Sequence, residues 1–138
     1  MARPDARFAI TRLMKIFSLD EANALLPSVR PIVESIQRQH KRLLSLQTAA
    51  RYAAEGAEQG GGGMPEGPRY VSMLIKLAEQ TGELESLGVQ LKDYERGLID
   101  FPSLRDGRVV LLCWQLGEGD EVRWWHDVDS GFAGRQPL

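Results

Sequence analysis

The sequence predicts an α+β domain: a long antiparallel helical hairpin, preceded by a short N-terminal helix, packed on a three-stranded antiparallel β-meander. Three observations lead there. Apolar residues recur in a four-three rhythm from Val29 and again from Tyr70. After Gly97 that rhythm is lost and short β-prone runs take over. Asp106-Gly107 and Gly117-Glu118-Gly119-Asp120 then cut the second half at strand-length intervals. Helices first and strands afterwards is the α+β order.

Size and composition fit one domain. The chain has 138 residues, 43% of them hydrophobic, with a net charge of -2. That is too apolar for a disordered chain. A single Cys excludes an internal disulfide and a thiolate cluster, so nothing indicates an oxidising compartment. No apolar run approaches the ~20 residues of a membrane span, and the first residues lack the apolar core of a signal peptide. A soluble, cytoplasmic protein without membrane association is expected. Charge is unevenly placed, with nine Lys+Arg against four Asp+Glu in residues 1–51, and eight against fifteen in 52–138. The simplest arrangement sets the basic half against the acidic one.

Residues 1–13 show no periodicity and are expected to be a disordered N-terminal extension to a single domain over 14–138. Ser18-Leu19-Asp20-Glu21 has the form of a capping box and opens a short helix to about Leu26. Pro27 interrupts, and Ser28 caps a new helix over 28–56, ~43 Å long; one kinked helix is the alternative. Val29, Val33, Ile36, His40, Leu43 and Gln47 form its stripe, narrow enough to resemble a coiled-coil seam. Residues 56–68, with glycines at 60–63, read as a linker, since no Gly-Lys-Ser/Thr follows to make a phosphate cradle. The second helix begins near Arg69, with Gly88 as a kink or stop. Three strands follow: Leu98–Phe101 ended by Pro102, Val109–Leu116, and Val122–His126. The two turns set the register. Asp100 faces Cys113, Cys113 faces Trp124, and Leu111 faces His126.

The chemistry is sparse. No H-E-x-x-H, G-x-S-x-G or G-x-G-x-x-G pattern occurs, so no reaction is specified. In the derived register Asp100 and His126 share a face but lie two strands and two residues apart, on the order of 11–12 Å, too far for one ion. No metal and no cofactor is therefore expected. Cys113 reads as a small core residue, and Trp124 as the aromatic that covers the sheet against the helices. Trp114 is placed opposite Arg123 as a cation–π pair. Trp125, on the other face, is the candidate for a stacking surface.

The phrases FSLDEANALLPSVRPIV at 17–33, LGVQLKDYERGLIDFPSLRDGR at 87–108, LCWQLGE at 112–118 and RWWHDVDSGFAGRQPL at 123–138 resemble an uncharacterised family of small bacterial proteins, domain of unknown function twenty-two-oh-three. The resemblance covers Lys15 to Leu138. It implies a bacterial cytoplasmic protein of this one-domain layout and carries no activity with it. Within these phrases the candidate binding residues are Asp93, Asp100, Arg105, Trp125, His126, Asp129 and Arg135. Asp93, Asp100 and Arg135 could equally pair with one another and pin the tail.

The expected function is a small protein-interaction module. A helix of ~43 Å outruns the longest strand of the meander. The uncovered stripe, Val29, Val33, Ile36, His40, Leu43 and Gln47, is expected to meet a second copy in a homodimer, or another protein. One alternative is a small ligand- or metal-binding enzyme built on the His126/Asp/Arg135 region. A weaker one is RNA or ribosome association through Arg30, Arg38, Lys41 and Arg42, although nucleic-acid binding is disfavoured by the near-neutral charge.

Overall fold

A computed structural model of the chain describes residues 14–58 and 67–138. Helix α1 spans Leu19–Glu58, helix α2 Gly67–Ser86, and five strands follow: β1 Gln90–Asp93, β2 Leu98–Arg105, β3 Arg108–Gln115, β4 Trp124–Asp127 and β5 Gln136–Pro137. The class is α+β as expected, but the sheet is a five-stranded antiparallel meander in sequence order. The predicted disordered extension, residues 1–13, lies outside the described residues. So does most of the predicted linker; residues 56–58 end α1, and 67–68 begin α2.

The capping box forms. The Glu21 amide donates to Ser18 Oγ (3.0 Å), and the Ser18 amide donates to Glu21 Oε1 (3.2 Å). Donation from the Ser18 amide, and next from its hydroxyl, holds the Glu21 carboxyl below its usual range. The separate short helix does not exist: α1 runs through Pro27 and Pro31 as one 40-residue helix, ~60 Å long. Each proline costs its own amide bond, but burial of Ala22, Leu26, Val29, Val33 and Ile36 on one face holds the helix together. Asn23 Oδ1, on the same segment, accepts from the Val122 amide (2.7 Å) and tethers the loop before β4.

Helix α2 stops at Gly88. The Gly88 amide donates to Glu85 O and the Val89 amide to Leu84 O, with Gly88 at φ 85°, and Leu84 and Val89 both buried. This is a Schellman stop, which requires a residue at home in the left-handed region. The expected helical rhythm through Leu91 and Tyr94 therefore ends early. Gln90-Leu91-Lys92-Asp93 forms β1 instead, missed because it is short and half polar.

Strand β2 continues past Pro102 to Arg105. Strand β1 pairs only with Leu98–Asp100, so beyond that point β2 has a free edge where proline's missing donor is harmless. Phe17 occupies that edge. Its amide donates to Pro102 O (2.7 Å), and its carbonyl accepts from Ser103 Oγ (2.6 Å). Asp106 and Gly107, both at positive φ (53° and 75°), close the β2–β3 hairpin.

The sheet has two covered faces. Ile99, Phe101, Val110, Leu112, Trp114 and Trp125 face the helices and join the core with Val29, Val33 and Ile36. Leu98, Asp100, Leu111, Cys113, Trp124 and His126 alternate onto the other face. Trp124 and Trp125 thus exchange the places expected of them: Trp125 covers the sheet against the helices. The cation on Trp114 is Arg30, 5.5 Å from the ring, not Arg123, which lies outside the β3–β4 ladder.

Candidate functional site

The site on the far face of the sheet is built from three neighbouring strands, each giving one chemically active side chain. The β2–β3 register sets Asp100 opposite Cys113, and the β3–β4 register sets His126 opposite Leu111, two residues along β3 from Cys113. All three are buried, at 1%, 0% and 3% exposure. Their ligand atoms lie within 4.8 Å of one another.

Hydrogen bonding fixes the imidazole. His126 Nδ1 lies 2.8 Å from the Asp127 carbonyl oxygen, which can only accept, so Nδ1 carries a hydrogen. Nε2 lies 3.1 and 3.2 Å from the two carboxylate oxygens of Asp100. The bond at Nδ1 thus turns Nε2 onto the Asp100 carboxylate. Cys113 keeps its proton. Burial chiefly, then the Asp100 charge, pushes its thiol up to about 12, against the opposing charge of Arg135. A thiol held in this way is not a nucleophile.

This corrects the distance argument made from the sequence. The register is as derived, but 11–12 Å is a separation between backbones. Aspartate and histidine lean towards each other along the diagonal, and their side chains span most of that gap.

A second network stands beside the first. Arg135 Nη2 donates to both oxygens of Glu118 (2.7 and 2.8 Å), and Glu118 Oε1 also accepts from the Gln115 amide (2.8 Å). The Arg135 guanidinium stacks on Trp124 at 4.9 Å and on Phe132 at 4.8 Å, and Arg96 approaches Phe132 at 5.0 Å. Arg135 Nε is buried without a hydrogen-bond partner among the described residues. A cavity of about 290 Å³ reaches the first network, lined by Lys92, Asp93, Arg96, Asp100, His126 and Phe132, among others.

The structure brings together Asp100 and His126, with Asp93 on the rim of the same cavity. Asp93 mainly shapes the β1–β2 turn by accepting from the Glu95 and Arg96 amides (2.8 and 3.0 Å). Asp93, Asp100 and Arg135 do not pair with one another. Arg105 and Trp125 are elsewhere, the guanidinium 4.5 Å from the ring. Asp129 is exposed beyond β4, with no side-chain bond among the described residues. Sequence reasoning passed over Cys113, although the register had already placed it opposite Asp100. It also gave Glu118 no partner.

The expected seam is occupied within the chain. Val29, Val33, Ile36 and Leu43 are buried at 6% exposure or less. His40 stacks on Tyr94 with centroids 5.2 Å apart, and Gln47 Nε2 lies 3.5 Å from Tyr70 Oη on α2. Arg30, a candidate for RNA contact, is bound to Asp120 at 2.8 Å and to the Gly119 carbonyl. No helix among the described residues is long and apolar enough to cross a membrane.

Searches among curated proteins and among solved structures found no match. A family model matches residues 15–138, most of the chain, including all three strands of the buried network; the chain belongs to the family described as Uncharacterized conserved protein (DUF2203).

Proposed function

We propose that the protein is an interaction module that self-associates through the far end of its helical hairpin. One observation carries this reading: the apolar residues left exposed on the two helices. On α2, Val71, Leu74 and Ile75 are 53%, 41% and 55% exposed. Their i, i+3, i+4 spacing makes one stripe on the face opposite Met73 and Leu77, which are buried against α1. On α1, Leu44 and Tyr52 are exposed in the segment after Leu43, where no described side chain is buried.

The physical argument is one of layers. At ~60 Å, α1 is about twice as long as an eight-residue strand of ~27 Å. Among the described residues its last turns have only α2 beside them, and two helices cannot enclose both apolar faces. Pairing with a second copy forms a four-helix bundle and encloses both. The interface moves from the buried stripe of α1 to Leu44, Tyr52, Val71, Leu74 and Ile75. A cytoplasmic setting fits the single, unpaired cysteine.

Sedimentation equilibrium of the full chain tests this. A dimer is expected that persists in about half-molar salt, because apolar contacts are not screened. The double substitution Leu74→Glu/Ile75→Glu should return it to a monomer. A wild-type monomer at all concentrations would refute the reading, as would a dimer indifferent to both substitutions.

A further inference from the structure

We propose that Asp100, Cys113 and His126 bind one first-row divalent cation, with zinc the best-matched ion. The donor set is one carboxylate oxygen, one sulfur and one imidazole nitrogen, all buried and within 4.8 Å of one another. Sulfur and imidazole together suit zinc and its neighbours, and disfavour calcium or magnesium, which take oxygen ligands.

Geometry supports the assignment. A tetrahedral centre with zinc–nitrogen and zinc–oxygen bonds of ~2.0–2.1 Å has a nitrogen-to-oxygen edge of about 3.3 Å. The His126 Nε2 to Asp100 Oδ2 distance is 3.1 Å. Such an edge also occurs in a plain ion pair, so orientation matters more. Metal-binding histidines typically donate their second ring nitrogen to a carbonyl or carboxylate, which presents the first nitrogen to the ion. The bond from Nδ1 to the Asp127 carbonyl does this and turns Nε2 towards Asp100 and Cys113.

Charge fits it too. A cysteine binds as thiolate and releases its proton, so one carboxylate and one thiolate balance one dication, and the occupied site carries no uncompensated charge in a buried setting. The 290 Å³ cavity on Asp100 and His126 offers a route in, and room for water or a small anion as fourth ligand, beside Lys92 and Arg96.

The test uses the full chain stripped with chelator and titrated with cobalt(II). One equivalent should bind with a thiolate-to-metal charge-transfer band and the intense visible bands of four-coordination, and zinc should displace it. Cys113→Ser, a single-atom change, should abolish the charge-transfer band. His126→Gln should weaken binding at least about 100-fold, beyond the loss of a supporting hydrogen bond. Asp129→Asn, in the exposed turn, should change neither. Near-ultraviolet circular dichroism checks that each variant is folded; if His126→Gln is not, Cys113→Ser decides alone. The proposal is overturned by absence of one-equivalent binding to the wild type, or by a band that survives Cys113→Ser. It is also overturned by weak, multiple binding indifferent to the variants.

Discussion

Helix α1 is one continuous element with two unlike halves. Up to Leu43 it is a beam clamped to the sheet: Val29, Val33 and Ile36 have no exposed surface at all, and Arg30 ties it to Asp120 in the loop before β4. After Leu43 the helix has left the sheet behind, Leu44 and Tyr52 stand in solvent, and α2 is its one neighbouring helix among the described residues. The same helical geometry thus serves folding in one half and leaves a partner surface in the other. What differs is not propensity but whether a third layer is present to cover the apolar stripe.

Substitutions can break this contrast in order of size. The largest effect belongs to Val33→Asp, which puts an unpaired carboxylate in the closed half beside Gly97. Loss of the folded state is expected by circular dichroism. A folded variant would show the beam to be less closed than described. Next is His126→Ala in metal-free protein, which leaves Asp100 buried alone. It should cost about 3–5 kcal/mol in a urea titration while dimerisation persists, since the far face of the sheet is separate from the arm, the far end of the helical hairpin beyond Leu43. Coupled loss of both would merge the two regions.

A smaller effect is expected where α1 begins. Ser18→Ala removes the cap and should cost about 1 kcal/mol. The Glu21 carboxyl, lowered by its Ser18 bonds, should titrate closer to its ordinary range in that variant by NMR. A lowered carboxyl pKa means stability present above the unfolded value and lost as pH falls through the folded one. Because Glu21 is exposed, that acid-side loss should be slight. The least effect on the folded monomer is expected from Ile75→Glu on the arm, within about 0.5 kcal/mol.

Much of this was legible in the residues. The Ser18/Glu21 box, the Asp106-Gly107 turn and the strand register follow from local rules, and local rules suffice where two or four residues decide the geometry. The prolines misled because they act against the local backbone, while the five buried residues from Ala22 to Ile36 act with the whole fold. Strands β1 and β5 were invisible because two to four mixed residues make no period; they form because a partner strand is waiting. The Asp100–His126 pairing was within reach of the register, but a backbone separation on the order of 11–12 Å hides that the two side chains bridge it, and Cys113 in its apolar run reads only as core. The ligands come one per strand, so no compact motif announces them. The arm residues Val71, Leu74 and Ile75 could not be separated from core positions by periodicity, because both faces of α2 carry apolar residues.

Hydrogen exchange of the full chain at low and high protein concentration tests the division of α1 most directly. The amides of 44–58 and 67–77 should gain protection as concentration rises, while those of 19–43 stay constant. Protection that is independent of concentration throughout, or that changes in 19–43 instead, would contradict the assignment of self-association to the arm.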